Sequence, residues 1–126
     1  MTMKEELERA LQPLIGEPLS DMSRFAGMQM FEFGIQRPCK NRKGQDITLA
    51  DQRLHVSCYW CVSSSEGTII SCEDFDPNGS RRDARAYPFY NMLESNPPIV
   101  EVLEADEAGT LRLYLSGGYS LIVRPN

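Results

Sequence analysis

The sequence predicts an α+β fold, with an N-terminal helix packed on an antiparallel, meander-like sheet of about six strands. Three patterns point to it. Residues 2–15 repeat apolar side chains at helical spacing, residues 53–63 alternate at the strand period, and residues 99–126 divide into three short alternating runs separated by glycine-bearing turns. A length of 126 residues, with 41% hydrophobic and 25% charged, fits one globular domain over 1–126.

The helix begins at Thr2, an N-cap type, with Glu5 three residues later to complete a capping box. Leu7, Ala10, Leu11 and Leu14 fall on one face. Pro13 removes a backbone donor, so regular helix is expected to end near Leu11 or kink, and Gly16 and Pro18 stop it. Gly27 to Phe33 reads as a strand with Phe31 and Phe33 on one side and Met28 and Met30 on the other. Ile35 to Asp46 is polar and basic, holds Pro38 and Gly44, and reads as a loop.

Arg53 to Ser63 is the clearest strand. Leu54, Val56, Cys58, Trp60 and Val62 share one face, and His55, Ser57, Tyr59, Cys61 and Ser63 share the other. A turn at Glu66-Gly67 leads to a strand over Thr68 to Cys72, making a hairpin. A two-residue loop there places Cys61 opposite Cys72, whereas one more loop residue places Trp60 opposite Cys72. Glu73 to Pro98 is a long excursion of low regularity. Its Tyr87, Phe89, Tyr90, Met92 and Leu93 suggest that part folds back on the body as a helical turn. In the closing meander Val100, Val102 and Glu104 are expected opposite Leu115, Leu113 and Leu111, with Leu113 facing Ile122 across a Gly117-Gly118 turn. The N-terminal helix is expected to cover that apolar face.

Charge and hydropathy exclude several classes. Thirteen basic and 18 acidic residues give a net charge of −5, which disfavours nucleic acid and anionic membranes. The longest apolar run is Cys58 to Val62, far short of the roughly 20 residues of a membrane span. Lys4, Glu5, Glu6, Glu8 and Arg9 stand where an apolar leader would lie, so the expectation is a cytoplasmic chain, monomer or homodimer. Arg37, Lys40, Arg42 and Lys43 form one positive stretch. Glu101, Glu104, Asp106 and Glu107, with Glu94, form a negative one, read either as solvated turns or as an acidic face for a basic protein partner.

Cys58-Tyr59-Trp60-Cys61 is a CxxC with His55 nearby, but residues three apart on a strand diverge, unlike a zinc knuckle. A thioredoxin-like pair needs a helix N-terminus. The four cysteines therefore read as small core hydrophobes, with a cross-strand Cys61–Cys72 disulfide left open. Asp74-Phe75-Asp76-Pro77-Asn78-Gly79 opens like an EF-hand loop, but Arg85 occupies the twelfth position, where a bidentate Glu belongs. Arg81, Arg82 and Arg85 beside Tyr87, Phe89 and Tyr90 allow a single-strand binding patch only if this loop meets the Arg37 to Lys43 stretch. No GxSxG, HExxH, GxGxxG or Walker pattern occurs. No catalytic residue, metal or cofactor is assigned.

The Gly16 to Gly34 segment, Leu54-His55-Val56-Ser57-Cys58-Tyr59-Trp60, the Asp106 to Leu115 run and Leu121 to Pro125 together resemble a family of small uncharacterised bacterial proteins. The resemblance implies a bacterial source and one α+β domain, and it brings no site residues. That family usually carries Arg after the Trp, where this chain has Cys61, and often a Trp-Arg segment after the last strand.

Two functions fit the sequence. The first is a non-catalytic protein-binding module, immunity- or adaptor-like, with its partner on Glu101, Glu104, Asp106 and Glu107. The second is a small-molecule or metal-binding pocket between the sheet and the 73–98 excursion, lined by His55, Tyr59, Cys61 and Cys72. The sequence also suggests self-association through an exposed edge at Tyr119 to Arg124.

Overall fold

A computed structural model describes residues 2–25, 28–74 and 87–125. In chain order these form α1 (Met3–Leu11), a 3-10 turn (Gln12–Leu14), β1 (Leu19–Phe25), β2 (Met28–Lys40), β3 (Asp46–Val56), β4 (Tyr59–Ser64) and β5 (Gly67–Ser71). A second 3-10 turn (Cys72–Asp74), α2 (Tyr87–Ser95), β6 (Val100–Ala105), β7 (Leu111–Leu115) and β8 (Tyr119–Arg124) follow. The fold is α+β and antiparallel as expected. The strands form two sheets instead of one, however, in the orders β1-β2-β3 and β5-β4-β8-β7-β6. The EF-hand-like residues Asp76, Asn78 and Gly79 and the Arg81, Arg82, Arg85 cluster lie outside the described residues.

The strand expected over Arg53 to Ser63 is two strands. It breaks at Ser57-Cys58, so β3 pairs with β2 while β4 crosses to the other sheet and pairs with β5 and β8. Side-chain parity survives the break. Val56, Trp60 and Val62 are buried in the shared core, and Leu54 and Cys58 pack against it. Phe31 of one sheet meets Trp60 of the other edge to face, with ring centroids 5.1 Å apart. Met22 and Phe33 from the first sheet and Leu113 and Leu121 from the second complete the centre.

Ile35 to Asp46 is not a loop. β2 and β3 continue as a two-stranded ribbon, pairing Gln36 with Ala50 through to Lys40 with Asp46, and turn over Asn41 to Gln45. The turn is held by Asn41 Oδ1, which accepts from the amides of Lys43 and Gln45. Pro38 is tolerated because β1 pairs with β2 only as far as Phe33, leaving one edge of β2 open in the ribbon.

Four register shifts displace the expected pairings. One in β1 lets Leu19 and Met22, three apart, both reach the core. One in β2 brings Gly34 to a left-handed φ of 107°, and its amide donates to Pro18 O at 2.9 Å. One between β4 and β5 sets Cys61 opposite Ser71, which is the register of the Trp60–Cys72 alternative and not that of Cys61–Cys72, and the ladder ends there. The fourth, at Glu101, keeps Val100 opposite Leu115 but sets Leu103 against Leu113 and Ala105 against Leu111. Leu103 and Ala105 are therefore buried, and Val102 is turned outward. Leu113 faces Leu121, and Ile122 lies on the opposite face with Cys61.

α1 follows its sequence signals. Thr2 Oγ1 accepts from the Glu5 amide at 3.1 Å, and the same hydroxyl donates to Glu5 Oε1. Its contact with the meander is at β6, and Leu7 and Leu11 pack against the core that holds Leu103, Leu111 and Leu113. α1 lies against β6, with Leu7 and Leu11 half-buried at the core margin and Ala10 exposed. β8 is central, flanked by β4 and β7, so the expected exposed edge at Tyr119 to Arg124 is absent and β6 is an edge instead.

Candidate functional site

The β6 edge gathers three of the four acidic residues expected to bind a partner. Glu101 sits in the bulge, Glu104 on the outward face, and Glu107 in the β6–β7 turn, all exposed. Asp106 is committed elsewhere. Its Oδ1 accepts from the amides of Ala108 and Thr110, both at 2.9 Å, and so holds the turn. Glu104 Oε1 accepts from the Tyr114 hydroxyl at 2.7 Å, which pushes the Tyr114 phenol above its usual range. Arg112 stands opposite Glu104 in the ladder and over the Tyr114 ring, 6.0 Å from its centroid.

Beside these acids the bulge exposes apolar surface. Val102 is 52% and Ile99 44% exposed there, and Met3 on α1, 55% exposed, lies by Gly109 at the other end of β6. α1 adds Glu5 and Glu6 in its first turn. The backbone of this edge is tied near both ends. Val100 exchanges hydrogen bonds with Gly16 and Glu17, and Glu8 Oε2 accepts from the Ala105 amide at 3.0 Å. Glu8 is held below the usual carboxylate range by Lys4, 2.7 Å away, and by that amide. The same contact holds Lys4 above its usual range.

The second set of candidate residues comes together only in part. His55 is exposed on β3 opposite Met30, in the other sheet. Tyr59 and Cys61 lie on the outer face of β4, near the 3-10 turn that carries Cys72 and Glu73. Burial pushes the Tyr59 phenol up, and Cys61, Glu73 and Cys72 act in the same direction. All four cysteines are free thiols. Among the described residues no three His, Cys, Asp or Glu converge as a metal site would need.

A concavity between a sheet and the 73–98 excursion does exist, with other walls. It is a groove of about 540 Å³ between the β4–β5 hairpin and α2. Ile69, Phe89, Met92 and Tyr119 give it an apolar floor, and Ser64, Thr68 and Glu66 a polar rim. The aromatic run from Tyr87 to Leu93 was the available signal. The helical phase that turns Phe89 and Tyr90 inward, and the register that brings Ile69 and Tyr119 alongside, were not readable from it.

Comparison with protein-family models, with curated proteins and with solved structures returns no match.

Proposed function

We propose that the protein is a non-catalytic binding module whose docking surface is the β6 edge, and that its partner is a basic protein segment with an apolar anchor. One observation carries this reading. The Glu101 bulge turns Val102 out of the core and presents it, 52% exposed, between Glu101 and Glu104 on a strand tied at Val100 and Ala105. An apolar centre with a charged rim is the arrangement that protein interfaces favour, with the charges guiding encounter and the apolar contact supplying affinity.

Peptides selected by display against the whole protein provide the test. The enriched sequences should place Lys or Arg beside a large apolar residue. Their binding should weaken at least about tenfold for Val102→Asp or Glu101→Lys, and with rising salt. Selected peptides that bind these variants unchanged would overturn the reading.

The groove beside α2 supports a second reading. Its volume of about 540 Å³ falls within the roughly 300–1,000 Å³ of small-molecule sites, and an apolar floor under a few polar groups is their usual lining. Met92→Trp would fill it. Peptides or small molecules whose binding is lost in that variant, but kept in Val102→Asp, would move the site there.

A further inference from the structure

We propose that the β6 edge takes the β2–β3 ribbon of a second copy of this chain. This presupposes that the edge is a partner-binding surface and adds who the partner is.

The ribbon is otherwise unexplained. From Gln36 to Ala50 it sends only Ala50 into the buried set, and every other residue is exposed or half-exposed. It carries Arg37, Lys40, Arg42 and Lys43. Arg37 is paired with Asp51 at 3.1 Å and Lys40 with Asp46 at 2.6 Å. Arg42 and Lys43 at the turn have no ion-pair partner among the described residues, and the turn is rigidified by Asn41. One ribbon face also places half-buried Ile47 and Leu49 beside Arg37, and Ile35 at its base is 71% exposed.

The edge presents the complement. Glu101 and Glu107 have no ion-pair partner among the described residues, and Val102, Ile99 and Met3 supply the apolar contact. Basic-apolar meets acidic-apolar in both charge and character. The two surfaces belong to different sheets, so each copy keeps one of each after docking. Such a contact is heterologous, and it grows beyond a dimer unless the rotation closes.

Sedimentation of the full chain at up to about 1 mM tests it, in about 0.05 M and about 0.5 M salt. Wild type should exceed the monomer mass at low salt, with the association constant falling tenfold or more at high salt. Glu101→Lys/Glu107→Lys and Arg42→Glu/Lys43→Glu should each be monomeric alone, and mixing them should restore association. All four positions are exposed, and circular dichroism confirms folding of each variant. A wild type that stays monomeric at low salt overturns self-docking, as does a mixture that stays monomeric. If displayed basic peptides still bind in a Val102-dependent way, the edge keeps its role and only the identity of its partner falls. If they do not, both fall.

Discussion

Glu32 shows how one side chain decides a local backbone path. It is 3% exposed, and its Oε1 accepts from the Ala50 amide at 2.9 Å and from Gln36 Nε2 at 3.3 Å. That amide sits where the β2–β3 ladder shifts register, so the carboxylate takes a donor at the point where the regular pairing is interrupted. Glu32→Leu leaves the Ala50 amide without this acceptor, and a buried unpaired donor costs about 1–3 kcal/mol. Glu32→Gln keeps an acceptor of the same shape and should lose less than half as much. Urea titrations of both variants check the order, and equal losses would mean that the amide contact is not what Glu32 supplies. By strand parity Glu32 falls on the face opposite Phe31 and Phe33. Nothing in a period-two pattern marks an acid that turns back to fill a bulge.

At the scale of elements, signals confined to a few neighbouring residues were legible and phases that depend on bulges were not. Thr2, Pro13 and the Phe31/Phe33 alternation each act within a few residues, and each appears as read. Parity fails wherever a residue is inserted. Leu19 and Met22, spaced three apart, give β1 no period-two signal, and an unbroken alternation through Glu101 turns Val102 inward. The same bulge that defeated the reading makes the candidate site. The acids at 101, 104 and 107 were visible as a run, whereas their apolar companion Val102 was assigned to the core. Edge protection of β6 gives a prediction with a defined pH sense. Glu8 in the folded state lies below its ordinary value of 4.5, so its stabilising contacts are complete above that pH and are lost as pH falls through the depressed value. The melting temperature of Glu8→Ala should therefore lie below wild type near neutral pH and converge with it once the pH falls below the lowered Glu8 range. A difference that persists at low pH would assign the effect to packing of the helix rather than to the carboxylate.

Across the whole molecule the charge that sums to −5 is divided between regions, and the net value conceals this. Acids collect on the first turn of α1, the β6 bulge and the β6–β7 turn, while the ribbon collects bases. The stability of the fold and this charge division belong to different parts. The core draws on β1, the paired base of β2 and β3, the five-stranded sheet and α2, and the ribbon beyond Ala50 adds no buried side chain. Replacing residues 38–48 by Asn-Gly would join Arg37 to Leu49, which already face each other, through a two-residue turn suited to antiparallel strands. Shortening the connection also lowers the entropy lost on closing it, by roughly 1.5 kcal/mol. The shortened chain should therefore melt within a few degrees of wild type, since a change of about 1 kcal/mol moves a domain of this size by roughly 4 °C. If the ribbon is the segment that docks, the same chain should sediment as a monomer at low salt. It should still accept the ribbon of Glu101→Lys/Glu107→Lys, whose own edge is disabled, and with no second ribbon present that mixture should stop at a 1:1 dimer. A shortened chain that self-associates as wild type does would exclude the ribbon, whatever its charge. One that unfolds would show that residues 38–48 support the core through contacts other than burial.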